Sequence, residues 1–111
     1  MNVVPRIVDY YYTADGKCPY KEWFSALKVM TVRQSVDARL TRVRRGLFGD
    51  YRWVGQGVWE FRLDTGPGYR VYFAQPQHTL ILLLGGGLKK TQSRDIRKAH
   101  DCWADYQRNP K

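Results

Sequence analysis

Apolar and polar positions alternate most regularly between Gly57 and Leu88, where the chain writes three strands in succession. In Gly57 to Asp64 the apolar Trp59, Phe61 and Leu63 alternate with Glu60, Arg62 and Asp64. In Tyr69 to Ala74, Tyr69, Val71 and Phe73 alternate with Arg70 and Tyr72. Side chains leave a strand on opposite faces with period two, so each of these strands has one greasy face and one charged face. The third, Thr79 to Leu84, is apolar without alternation, which predicts a strand covered on both faces in the middle of the sheet and ended by Gly85-Gly86-Gly87. Gly66-Pro67-Gly68 and Gln75-Pro76-Gln77 supply the intervening turns.

Elsewhere the period changes. Val3 to Tyr12 mixes β-branched and aromatic residues and predicts a first strand. Trp23, Phe24 and Leu27, with Pro19 in the opening position, predict a short helix over Pro19 to Leu27. Thr31-x-x-Gln34 has the form of a capping box, and Val32, Val36, Leu40 and Val43 then stripe a second helix that ends at Gly46. Arg33, Arg39, Arg42, Arg44 and Arg45 cover the rest of its surface. Tyr51 to Val54 reads as a short strand, and Ile96, Ala99, Trp103 and Tyr106 stripe a last helix over Thr91 to Gln107. Strand, two helices, meander and terminal helix make an α+β fold in one domain over residues 1–111. The two N-terminal helices are expected on the Trp59, Phe61, Val71 and Phe73 face, leaving Glu60, Arg62, Arg70 and Tyr72 in a cleft open to a ligand.

Charge sharpens this picture. Nineteen Lys and Arg against ten Asp and Glu give a formal net charge of +9, a field that gathers polyanions and favours nucleic acid or an acidic protein as partner. Cys18 and Cys102 have no CxxC or Cys/His spacing, so they read as reduced thiols of a cytoplasmic protein. His78 and His100 each stand alone, and no metal or cofactor is expected. The longest apolar run is too short to span a bilayer, so no membrane partner is expected either.

The polar sheet face offers Glu60 as a base, Arg62 and Arg70 as fixed cations whose planar forks suit phosphate, and Tyr72 as a hydroxyl or stacking surface. The same residues also fit cross-strand ion pairs on a solvated face. Lys89-Lys90-Thr91, after three glycines at a helix start, is a second anion candidate, although the P-loop spacing is absent. Arg42, Arg44 and Arg45 suit a nucleic-acid backbone, or simply an exposed helix face.

An ordered series of motifs then resembles a known family. Arg45-Gly-Leu-Phe-Gly-Asp50, Gly57-Val-Trp-Glu-Phe-Arg62, Gly66-Pro-Gly-Tyr-Arg-Val-Tyr-Phe73, Leu82-Leu-Leu-Gly-Gly-Gly87, Lys89-Lys-Thr-Gln92 and Arg94-Asp-Ile96 are similar to the addiction-module killer proteins, the HigB-like branch of the RelE/ParE toxin superfamily. The resemblance spans nearly the whole chain. It implies a RelE-like toxin held in check by a cognate antitoxin, usually of helix-turn-helix type, and acting on the ribosome as a metal-independent messenger-RNA endoribonuclease. In such a reaction a ribose 2′-hydroxyl attacks the adjacent phosphate, giving a cyclic phosphate and a free 5′-hydroxyl. The resemblance places Arg70 on the scissile phosphate, Arg62 as a second cation and Lys89 or Lys90 as a third. Glu60 is the candidate base, and Lys90, Arg42, Arg44, Arg45 and Arg94 are RNA-contacting candidates. Position 90 is Lys where the branch has Ser, and the general acid stays open among Tyr72, His100 and Tyr106. ParE-type toxins of the same superfamily are non-catalytic inhibitors of DNA gyrase, which is the alternative activity.

Overall fold

The computed structural model describes residues 3–110. Its elements are β1 (Ile7–Tyr10), α1 (Pro19–Ala26), α2 (Met30–Arg44), β2 (Tyr51–Trp53), β3 (Trp59–Leu63), β4 (Tyr69–Gln77), β5 (Leu80–Leu88) and α3 (Gln92–Arg108), with a 3-10 turn at Lys89–Thr91 leading into α3. The fold is α+β. The five strands form one mixed sheet in the order β1-β5-β4-β3-β2, in which β2 to β5 run as an antiparallel meander and β1 pairs parallel to β5.

Both faces of the sheet are covered. On one, Tyr20 of α1 and Val36, Leu40 and Val43 of α2 bury against Phe61, Leu63, Val71, Phe73, Ile81 and Leu83, and Phe61 stacks on Phe73 with centroids 4.0 Å apart. On the other, Ala99 of α3, with Ile96, Trp103 and Tyr106 partly buried beside it, closes over Tyr11, Val58, Tyr72, Ala74, Leu82 and Leu84. Alternate residues of β5 thus serve two cores, which is why its sequence shows no alternation.

α2 ends in a Schellman arrangement: Gly46 donates to Val43 O at 2.8 Å and Leu47 to Arg42 O at 2.9 Å. Gly46 lies at φ +87°, where a Cβ would fall 2.3 Å from Val4 O.

Several local expectations change. The capping box is not formed, because α2 starts at Met30 with Val29 as N-cap and no side-chain cap bond. The first strand is shorter than Val3 to Tyr12. Gln75-Pro76-Gln77 is not a turn but the end of β4, where an irregularity in the ladder between Ala74 and Gln77 takes up the proline; His78 and Thr79 make the reversal. Gly85, Gly86 and Gly87 do not stop β5; they pair with Tyr72, Val71 and Arg70. The missing side chains of Gly86 and Gly87 leave room for neighbours, since a Cβ on Gly86 would lie 2.4 Å from the Trp23 ring and one on Gly87 1.9 Å from Asp95 Oδ2.

Candidate functional site

Cross-strand register sets the polar residues in rows. Arg52, Glu60 and Tyr72 face one another across β2, β3 and β4, and Arg62 pairs with Arg70, which pairs with Gly87. Glu60, Arg62 and Arg70 converge: Glu60 Oε2 lies 3.9 Å from Arg62 Nε and 3.9 Å from Arg70 Nε. From the first turn of α3, Gln92 Nε2 donates to both Glu60 oxygens, at 2.9 and 3.1 Å.

The open cleft expected over this face is not there. Glu60 is fully buried, Arg70 is 3% and Tyr72 1% exposed, because α3 lies across the polar face as α1 and α2 lie across the apolar one. The sequence pattern did not reveal this, since alternation divides a strand's faces but does not say which of them a later helix will cover. Arg62 keeps 29% of its side chain in solvent and forms the outer edge of the cluster.

Two polar atoms within it lack a hydrogen-bond partner, Arg70 Nε and the Tyr72 hydroxyl. The Arg70 Nη1 donates to its neighbour's carbonyl, Tyr69 O, at 3.1 Å. Burial, followed by the nearby Glu60 and Asp95 carboxyls, pushes the Tyr72 phenol well above its ordinary value. At neutral pH it is a protonated hydroxyl.

Gln92 also faces a cationic surface. Lys89, Lys90, Gln92, Arg94 and Arg97 line a shallow recess of about 390 Å³ at the start of α3. Lys89 is tied to the preceding turn by its amide, which donates to Gly68 O at 3.0 Å, and a Cβ on Gly68 would lie 3.5 Å from Lys89 Cβ and 3.6 Å from Arg70 Nη1. The Gly66-Pro67-Gly68 turn therefore brings Lys89 beside Arg70. Lys90 and Arg94 are exposed on the same recess.

Arg42, Arg44 and Arg45 are also exposed, but they belong to α2 and its C-terminus, on the opposite side of the sheet from Glu60. Arg39, read from the sequence as part of that outer surface, is instead a clamp. Its guanidinium donates to Asp50 O at 3.1 Å, Phe48 O at 3.5 Å and Arg62 O at 2.8 Å.

The other candidates for a general acid are occupied by the fold. His100 Nε2 is 3.0 Å from Val54 O, and Tyr106 stacks on Trp103 at 5.6 Å. Sequence reading missed Gln92 and Asp95 as members of the cluster's roof. Asp95 is 8% exposed, accepts from Thr91 Oγ1 at 2.5 Å and lies 3.8 Å from Arg94 Nε. The available signal was an acid in the first turn of a helix next to a triple glycine, the partner small enough to receive it. Among the described residues no three His, Cys, Asp or Glu side chains are grouped to hold a metal ion, and no helix is long and apolar enough to cross a membrane.

No family model matches the sequence. An uncharacterized protein of Haemophilus influenzae is 41% identical over 80 residues, covering 72% of this chain and 81% of the relative. The chain belongs to one family with that protein.

Proposed function

We propose that this family member is a RelE-like toxin of a type II toxin-antitoxin module, acting as a metal-independent endoribonuclease on messenger RNA at the ribosome. The observation that carries the reading is the convergence of Glu60, Arg62 and Arg70, joined through Gln92 to the cationic recess that Gln92 lines with Lys89, Lys90 and Arg94. A carboxylate base flanked by fixed guanidinium groups, with further cations nearby, can serve a 2′-hydroxyl attack on phosphate. Glu60 takes the 2′-hydroxyl proton as the new P–O2′ bond forms, the P–O5′ bond breaks and the departing 5′-oxygen takes a proton from water. Arg70 and Lys89 stabilise the charge that builds on the phosphate oxygens, and Arg62 holds the strand at the rim. One positioned donor of this kind contributes about 2.7 to 4 kcal/mol, on the order of 10² to 10³ in rate. Gln92 occupies Glu60 in the free protein, so the first turn of α3 must release it for Glu60 to act as base. A cognate antitoxin, acidic or apolar over the cationic recess, is the partner that this charge calls for.

A non-catalytic, gyrase-inhibiting toxin is the second reading, favoured by one observation: Glu60 and Arg70 are buried and engaged with each other, as structural ion clusters are.

The test compares cleavage of a ribosome-bound transcript by the parent, Arg62→Ala and Arg70→Lys. The lysine keeps a positive charge beside Glu60 but loses the planar fork, so Arg70→Lys is expected to cut at least about 10²-fold more slowly. Parental cutting by Arg70→Lys would refute the assignment of Arg70. A parent that leaves ribosome-bound transcripts whole but blocks gyrase supercoiling would replace the first reading with the second.

A further inference from the structure

Strand β5 is interior to the sheet along only half its length. Its ladder with β1 covers residues 80–83. Tyr11 N adds a bond to Leu83 O at 3.0 Å, and the chain then leaves the sheet for the turn in which Thr13 N donates to Lys17 O at 2.8 Å. On its other side β5 continues against β4, with Gly85, Gly86, Gly87 and Leu88 opposite Tyr72, Val71, Arg70 and Tyr69. Among the described residues no strand lies beside residues 84–88 where β1 would have continued. A strand edge of that kind presents backbone N–H and C=O groups with no ladder to receive them.

This open edge lies in a slot. Trp23, Ala26 and Leu27 wall it from α1, Arg94, Lys98 and Cys102 wall it from α3, and the space between them is about 920 Å³. The two helices cover opposite faces of β5 here, since a Cβ on Gly86 would meet Trp23 and one on Gly87 would meet Asp95. Both walls are anchored. The Trp23 ring sits 5.8 Å from that of the buried Tyr20, and Asp95 and Ala99 are buried on the other side. A Cβ on Gly85 would find nothing within 4 Å, and glycine in a strand marks a place where another backbone can come close.

A lone strand edge between two helical walls is matched by an extended peptide that pairs with it as an added strand. Five residues opposite residues 84–88 span about 17 Å. Side chains of such a strand alternate, one set toward α1 and the next toward α3. The Trp23, Ala26 and Leu27 wall takes apolar groups. The other wall offers Arg94 and Lys98, while its Asp95 already accepts from Thr91 Oγ1 at 2.5 Å. With a net charge of +9 over the chain, acidic groups are favoured there. Glu22, Lys28 and Asp101 also line the slot.

We infer that residues 84–88 are a docking edge for an extended segment of a partner protein, in which apolar and acidic residues alternate. Backbone pairing supplies the affinity and the two walls supply the choice of side chains. The inference goes beyond the function proposed above and does not depend on nuclease activity.

The experiment titrates the full chain with the fluorescein-labelled peptide Val-Glu-Val-Glu-Val-Glu-Val, read by anisotropy and by amide hydrogen exchange. Saturable binding is expected, with slowed exchange at residues 84–88. The N–H groups of alternate strand residues point to one edge, so N-methylating the valines and N-methylating the glutamates have unequal effects. One pattern weakens binding at least about tenfold and the other changes it little. Ala26 and Lys98 are both exposed, so their variants keep the fold. Ala26→Glu, which narrows the slot and charges its apolar wall, is expected to weaken binding by about tenfold or more. Lys98→Glu reverses the preference, taking the corresponding valine-lysine peptide over the valine-glutamate one. No saturable binding up to about 1 mM, equal losses from the two methylation patterns, or binding unchanged by Ala26→Glu overturns the inference. A free chain that sediments as a dimer with residues 84–88 already protected overturns it too, since a second copy would then fill the edge. Peptide binding by a chain that leaves ribosome-bound transcripts whole supports the docking edge and refutes only the ribonuclease reading.

Discussion

Arg70→Ala separates a buried cluster from an open cleft by stability alone. Glu60 and Arg70 lie 3.9 Å apart, with side-chain exposures of 0% and 4%. At an effective dielectric of about 20 the gross attraction at such a distance is roughly 4 kcal/mol. Removing one partner of a buried pair outright costs about 3 to 5 kcal/mol, because the other is left uncompensated. Here Glu60 keeps Arg62 and the two bonds from Gln92, so the expected loss is smaller, about 2 to 3 kcal/mol. In a domain of this size each kcal/mol moves the melting temperature by about 4 to 8 °C, giving a fall of roughly 8 to 24 °C. Arg62→Ala, whose side chain is 29% exposed, should lose no more than about 1 kcal/mol after screening by solvent. Thermal melts by circular dichroism, with urea unfolding as a second axis, check both. Equal melting temperatures for Arg70→Ala, Arg62→Ala and the parent would refute the burial argument and restore the solvated face.

Alkaline pH should weaken the fold. Burial pushes the Cys102 thiol from 9.0 up to about 11, and the Tyr11, Tyr20 and Tyr72 phenols are raised as well, mainly by burial. Folded protein then holds more protons than unfolded between the two values, so stability is full below about pH 9 and falls as pH rises. A urea midpoint at pH 10 equal to that at pH 7 would count against it. Gly87→Ala should cost about 1 to 3 kcal/mol by overpacking, since its Cβ would meet Asp95 Oδ2 at 1.9 Å. Because it displaces the first turn of α3, hydrogen exchange should speed up at residues 89–95, and unchanged protection there would show that Asp95 moves aside freely.

The periodic parts of the fold were legible because one physical cause fixed each. Val32, Val36, Leu40 and Val43 are the buried residues of α2, and Trp59/Phe61 against Glu60/Arg62 correctly divided the faces of β3. What stayed hidden depended on partners distant in sequence. Glu60, Arg70 and Tyr72 look solvated until α3 is laid over them, and four of the five apolar residues from Leu80 to Leu84 are fully buried only because two separate cores meet at β5. Arg39 looks like any surface arginine until its fork is seen to gather three carbonyls. The triple glycine reads as a terminator from local propensity, whereas tertiary contact makes it a strand with Trp23 on one side and Asp95 on the other.

A face covered by α3 admits a ligand only at its ends, and the helix start is the end where Lys89, Lys90 and Arg94 gather. It is also where Gln92 ties the helix to the sheet through Glu60, while Asp95 accepts from Thr91 within the helix start. The same turn therefore supplies the cationic mouth and the latch on the buried acid. In the proposed reaction a phosphate drawn to the mouth would compete with Glu60 for Arg62 and Arg70, and each contact it gained would weaken the hold of the cluster on its own carboxylate. Burial of Glu60 in the free chain is then compatible with chemistry, provided that the latch is a single amide. Releasing the Gln92 amide from a carboxylate costs about 1.5 to 3 kcal/mol, against the roughly 2.7 to 4 kcal/mol of a positioned transition-state donor, so in the proposed reaction Arg70 on phosphate would offset the release of Gln92.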